Sequence, residues 1–252
     1  MIDTNVTNRI LNFVSPTETN RFIEIGPGHG ALTIALNNSG AELVLIEIDK
    51  RLISELQSRF VDPNPSRNIL VNDDFLKIDI SKFGESSRII GNLPYKISTP
   101  ILFKLLNNVE YISDIHIMLQ KEVVDRIIAN PDTSCYGRIS VMIQAQASVE
   151  KLIEIEPESF QPIPKVKSAF IRIIPNSIKR KKINCLDIFS QLVKQSFSAR
   201  RKTIRNNLIR FLPEKVLNKL ETDLSLRAQA IEVDEFINIA NFIHKWKNTK
   251  LR

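Results

Sequence analysis

Apolar positions follow two regimes along the chain. As far as about residue 175, short runs of strand character alternate with stretches of helical spacing. Phe22-Ile23-Glu24-Ile25 predicts a strand that ends at GPGHG, with a helix from Ala31 to Leu36 behind it. Glu42 to Ile48 predicts a second strand. Lys50 to Phe60 predicts a helix carrying Leu52, Ile53, Leu56 and Phe60 on one face. Asn68 to Val71 is a third strand, after a loop punctuated by Pro63 and Pro65. Arg88 to Asn92 and Ile115 to Leu119 follow, and Ser140 to Val149 and Ser168 to Ile174 read as two later strands. Strands separated by helices imply right-handed crossovers and a mostly parallel sheet covered on both faces.

The pattern breaks at Pro175-Asn176-Ser177 and the basic run Lys179 to Lys182. Beyond it only helical spacing recurs: Leu186, Phe189, Leu192, Val193 and Phe197, then Ile204, Leu208 and Leu212. Pro213 suits the first turn of a helix holding Val216, Leu217 and Leu220. Phe236, Ile239, Ala240, Ile243 and Trp246 mark the last. The expected organisation is an α/β domain over residues 1–178 and a small all-helical domain over 183–252.

Charge sharpens this picture more than composition does. The 252 residues carry 43% hydrophobic side chains and a formal net charge of +7. Between Lys165 and Arg205 there are twelve Lys or Arg and one acid, Asp187, so the rest of the chain is net negative. A solvated basic face and a polyphosphate partner both explain such a segment. Apolar runs are shorter than eight residues, so no span of a membrane is expected. MIDTNVTNRI has no secretory pattern. Cys135 and Cys185 are far apart, which fits a reducing cytoplasm. His29, His116 and His244 are scattered, so no metal is expected.

Candidate chemistry sits at the predicted strand ends. Glu24, Gly26, Gly28 and Gly30 form a strand-to-helix turn whose glycines let backbone approach a ligand. The spacing is GxGxG, neither the GxGxxG of dinucleotide folds nor a P-loop. Glu47 ends the second strand, where a carboxylate can accept both hydroxyls of a ribose, as in sites for NAD and for S-adenosylmethionine. Asp74 can accept an adenine amino group, with Phe75 packing beside it; adjacent acids are also ordinary loop residues. Asn92-Leu93-Pro94-Tyr95 carries most weight. Pro94 stiffens the loop. The Asn92 side-chain carbonyl and the Leu93 backbone carbonyl can accept the two N–H groups of an exocyclic amine, and Tyr95 can stack on its ring.

GPGHG, IEID, NDDF and GNLPYKISTP, with LQKEVVDRI, YGRISV, FQPIPKVKSAF and FSARRKTIRNNL, resemble the KsgA-type small-subunit ribosomal RNA adenine dimethyltransferases. The resemblance runs from about Asp3 to Ile243. It implies a Rossmann-like class I methyltransferase sheet with a small C-terminal all-helical domain. It also implies S-adenosyl-L-methionine as cofactor, lying across the strand ends. By motif match Glu24, Gly26 and Gly28 line it, Glu47 holds the ribose, Asp74 with Phe75 the adenine, and Asn92 the methyl-transfer site. The implied substrate is a pair of adjacent adenines in the 3′-terminal hairpin loop of small-subunit rRNA, each methylated twice at N6 within a pre-30S particle. Phe160 matches a Phe across the pocket, so a Tyr95–adenine–Phe160 sandwich is expected. Lys165, Lys167, Arg200, Arg201, Lys202 and Arg205 are the expected RNA contacts, the last four on one helix. The implied protein is a cytoplasmic monomer that needs neither membrane nor metal.

The family's members carry a basic stretch and a Gln-Asn-Phe-Leu-like motif, also at the cofactor, before the region matching Asp3. The expectation is a start assigned too late or a truncated form, with weakened cofactor binding. Three rivals stand beside the main reading. An antibiotic-resistance methyltransferase of large-subunit rRNA shares the loop, but QPIPKVKSAF and RRKTIRNNL favour the small-subunit enzyme. GxGxG and the basic helices count against a nicotinamide oxidoreductase. A non-catalytic assembly factor is the third.

Overall fold

The computed structural model describes residues 3–59 and 68–249. In chain order the elements are α1 (Thr4–Val14), β1 (Arg21–Ile25), α2 (Ala31–Asn38), β2 (Glu42–Glu47), α3 (Lys50–Arg59), β3 (Asn68–Asn72), β4 (Ser87–Asn92), α4 (Ser98–Asn107), β5 (Ile112–Gln120), α5 (Lys121–Ile127), α6 (Arg138–Gln144), β6 (Ala147–Ile155), β7 (Ser168–Pro175), α7 (Ser177–Lys181), α8 (Leu186–Ser198), α9 (Ile204–Leu208), α10 (Glu214–Leu217) and α11 (Val233–Thr249). Phe60, Pro63 and Pro65 lie outside the described residues.

The strands form one sheet in the order β3-β2-β1-β4-β5-β7-β6. β1 pairs parallel with β2 and β4, β2 with β3 and β4 with β5, whereas β7 runs antiparallel to β5. The order reverses between β1 and β4, which puts a crevice at the carboxyl ends of those strands. Phe22, Ile23, Leu43, Val44, Ile89 and Ile90 are buried, so β1, β2 and β4 are covered on both faces. Asp3 caps α1 by accepting from the amides of Asn5 and Val6, and Val6, Ile10 and Val14 join the core cluster that contains Phe22, Met118 and Phe160.

Two compact units divide the chain: 1–124 with 149–175, and 125–148 with 176–252. The expected boundaries placed 125–148 with the sheet; it groups with the C-terminal helices instead. The strand expected over Ser140 to Val149 is also displaced. Arg138–Gln144 is helical, and the strand begins at Ala147. Ser140, Val141, Met142 and Ile143 are all buried, so this helix shows no polar face by which its period could be read. Within the second unit, Tyr136 donates its hydroxyl proton to the carbonyl of Ile231 at 3.0 Å. Phe197 meets the ring of Tyr136 edge-to-face and that of Phe236 at a tilt, with centroids 6.0 and 5.8 Å apart.

Candidate functional site

Beyond β1 the chain turns through Gly26, Gly28 and Gly30 at φ of 65°, 58° and 81°. A Cβ at Gly26 or Gly28 would meet nothing within 4 Å, so backbone conformation, not crowding, demands glycine there. The open space left beside the backbone is room for a ligand. Gly28 donates its N–H to Glu47 Oε2 at 3.2 Å, and Asp49 donates to Glu47 Oε1 at 3.0 Å. Each oxygen keeps a lone pair for a further donor. The Asn72 amide donates to the carbonyls of Glu47 and Ile48, which fixes how β2 ends. Ile48 is 70% exposed immediately after that carboxylate, an apolar surface that strand periodicity did not single out as part of a site.

A cavity of about 290 Å³ opens against this turn, lined by Glu24, Gly26 to His29, Ala31, Leu32, Asn92 and Gln161. Glu24 is buried and its Oε2 has no hydrogen-bond partner of normal geometry. Burial pushes its carboxyl up to about 7; the nearby Thr33 hydroxyl opposes this and the carboxylate of Glu47 adds to it. Asp74 and Phe75 line neither this cavity nor the one described next. Asp74 Oδ1 accepts the amide of Leu76 and caps a short turn over Phe75–Lys77. Phe75 is a buried packing residue, with Lys104 Nζ 5.7 Å from its ring centroid.

β4 delivers the second half of the site. Gly91 faces β1 so closely that a Cβ would stand 2.6 Å from the carbonyl oxygen of Ile25, so the Gly-Asn step is fixed by strand packing. Leu93 then donates its amide to the carbonyl of Met118 at 3.2 Å. Ile97 donates to Pro94, Ser98 Oγ to the carbonyl of Tyr95, and the Tyr95 and Ser168 hydroxyls bond at 2.8 Å. A cavity of about 340 Å³ lies between Asn92–Tyr95 on one side and Phe160–Pro164 on the other. Tyr95 and Phe160 therefore line one cavity, although Phe160 is only 5% exposed and is also part of the core cluster. Asn92 and Gln161 line both cavities and stand at their junction. Gln161 was not among the residues picked from sequence; a polar residue wedged between Phe160 and Pro162 was its only signal.

The basic residues divide by what they touch. Lys165 is exposed, and Lys167 Nζ lies 2.7 Å from Glu156. The sequence placed Arg200, Arg201, Lys202 and Arg205 on one helix; instead the first three occupy the turn between α8 and α9, and only Arg205 is helical. Arg200 donates to the carbonyls of Ser134 and Tyr136 at 3.1 and 2.9 Å, so it ties chain segments together. Arg205 is paired with Glu214 at 2.8 Å, while Arg201 and Lys202 are exposed. Among the described residues no three His, Cys, Asp or Glu side chains cluster as metal ligands, and no helix is long and apolar enough to cross a membrane.

The family model for ribosomal RNA adenine dimethylase matches residues 1–245. Among curated relatives, the ribosomal RNA small subunit methyltransferase A of Hydrogenovibrio crunogenus is 43% identical over 250 residues, covering 96% of this chain and 92% of its own. That of Nitrosospira multiformis is 39% identical over 247 residues, covering 97% and 93%. Among solved structures, a dimethyladenosine transferase from Plasmodium falciparum superposes with a TM-score of 0.83 at 24% identity, over 99% of this chain and 98% of that one. The 23S rRNA methyltransferase ErmE gives 0.69 at 22% identity, over 96% and 98%. These two likenesses establish the fold.

Proposed function

The chain belongs to the ribosomal RNA adenine dimethylase family, and on that premise we propose that it transfers methyl groups from S-adenosylmethionine to N6 of two adjacent adenines in the 3′ hairpin loop of small-subunit rRNA. The observation that carries this reading is the junction: Asn92 belongs to the glycine-turn cavity and to the NLPY cavity at once. A group held in the first can be presented to a group held in the second, with Asn92 between them.

The glycine-turn cavity fits S-adenosylmethionine. Gly26 and Gly28 leave backbone open where a side chain would otherwise stand, and Glu24 Oε2 is a buried acceptor without a partner. Glu47 is the residue for ribose hydroxyls, with Ile48 an apolar surface beside it. Bound S-adenosylmethionine supplies a sulfonium methyl, an electrophile whose leaving group is a neutral thioether. The adenine amine is a weak nucleophile because its lone pair is delocalised into the ring. Asn92 and the Leu93 carbonyl accept its N–H groups and favour a pyramidal nitrogen. Tyr95, its hydroxyl anchored on Ser168, and Phe160 hold the ring. Each transfer forms an N–C bond, releases the thioether and gives up one amine proton to water, so this is catalysis by positioning and fixed dipoles. Extruding a base costs a few kcal/mol, and aromatic stacking returns about 1–3 kcal/mol per base.

The sheet-bearing unit is then the cofactor and catalytic unit, and the helical unit with its exposed Arg201 and Lys202 meets rRNA in a cytoplasmic pre-30S particle as a monomer. The test is methyl incorporation from labelled S-adenosylmethionine into purified subunits lacking the modification. Label confined to small-subunit rRNA supports the reading. Label on large-subunit rRNA, or none on either, contradicts it.

A further inference from the structure

The NLPY cavity has an apolar lip that the transfer chemistry does not use. Ile163 lines it and is 66% exposed. Pro162 and Pro164 on either side restrict its backbone, so the side chain is held out on a stiff strip. Val166, three residues on, and Ile97, two residues past Tyr95, are also exposed. Of the nine large exposed aliphatic side chains among the described residues, three come from the two loops that frame this one opening. Scattered singly they would be ordinary surface; Ile163, on the cavity lining itself, with Val166 and Ile97 on the same two loops, points to an apolar occupant.

Charge around the lip says which occupant. Lys96 and Lys165 are exposed on the same two loops. An exposed apolar side chain on loops that also carry exposed cations suits a partner with flat apolar faces and an anionic backbone, which is unpaired RNA. A base that leaves its stack opens a gap between its neighbours, and aliphatic side chains fill such gaps in nucleic-acid complexes.

Resting on the methyltransferase reading, we propose that Ile163 is a wedge that packs against the unpaired bases flanking the target adenine and keeps the strand open while that adenine occupies the cavity. It acts on substrate presentation, leaving cofactor binding to the glycine turn. An apolar contact releases no counterions, so its contribution is independent of salt, unlike a phosphate contact.

The experiment compares wild type, Ile163→Ser and Ile163→Leu on small subunits lacking the modification, with labelled S-adenosylmethionine. Because Ile163 is mostly exposed, both variants should fold as wild type does. The expected result is a loss of about tenfold in kcat/KM for subunits with Ile163→Ser, the same at low and high salt. KM for S-adenosylmethionine should not move, and Ile163→Leu should restore activity to within about threefold of wild type. Wild-type activity in Ile163→Ser, an equal loss in Ile163→Leu, or a loss that vanishes at high salt overturns the wedge. A wild-type protein that labels no small-subunit adenine overturns the methyltransferase reading itself, and the wedge with it.

Discussion

The carboxylate of Glu47, at the end of β2, disfavours charge on Glu24 in the adjacent parallel strand β1. Burial, against the partial relief of Thr33 and with a smaller contribution from the carboxylate of Glu47, raises the Glu24 carboxyl to about 7. Between about pH 4.5 and 7 the folded chain holds a proton that the unfolded chain has lost. Stability therefore falls as pH rises through that window, by about 3 kcal/mol at most for a shift of this size. Glu24→Gln removes this pH dependence. Urea unfolding of the ligand-free protein from pH 5 to 8 should show the variant gaining on wild type as pH rises. A difference between the two that does not change with pH would contradict this.

Glu47→Ala should weaken S-adenosylmethionine by about ten- to a hundredfold, the loss of charge-assisted bonds of about 1.5–3 kcal/mol. It also leaves the amides of Gly28 and Asp49 without their acceptor, so some stability goes with it. Glu47→Gln keeps an acceptor oxygen and should fall between. Calorimetric titration with cofactor gives the order directly; equal affinity in all three would remove Glu47 from the site.

The basic turn should split into two behaviours. Arg201→Ala with Lys202→Ala should flatten the salt dependence of small-subunit binding by roughly 1.4 to 1.8 units, at about 0.7–0.9 per phosphate contact. Arg205, already paired with Glu214, should add less. Arg200→Ala should instead lower Tm by a few degrees, because the carbonyls of Ser134 and Tyr136 lose their donor. Binding at several salt concentrations and a thermal scan separate the two. An unchanged slope in the double variant would leave this turn a solvated surface.

Gly91→Ala tests the strand packing behind the catalytic loop. The added Cβ meets backbone, not a flexible side-chain end, so β1 and β4 must separate. The expected outcome is a large fall in Tm or loss of folded protein, with Gly26→Ala failing for a different reason, its positive φ. A wild-type Tm for Gly91→Ala would mean the strands are farther apart than the structure has them.

How far the sequence reveals this molecule depends on whether a feature is local. Strands β1 to β5 announce themselves through short apolar runs, and the glycine turn and NLPY loop through residues that only special backbone tolerates. The helix over Arg138–Gln144 does not, because four successive buried residues erase the helical period. Arg200 reads as a phosphate contact until the carbonyls of Ser134 and Tyr136, more than sixty residues away in sequence, are brought to it. Gln161 joins the site only through the meeting of two loops, and the perturbation of Glu24 only through burial.

The most direct measurement is nucleoside mass spectrometry of small-subunit rRNA after reaction with wild type and with Asn92→Ala. Asn92 alone among the NLPY residues lines both cavities, and a preorganised polar group of this kind is worth about a hundredfold or more in rate. The expected result is N6,N6-dimethyladenosine at two adjacent positions of the 3′ hairpin loop with wild type. With Asn92→Ala there should be almost none, at unchanged Tm and subunit binding. Dimethyladenosine formed by the variant within a few-fold of the wild-type rate would contradict the role given to Asn92 and the mechanism built on it.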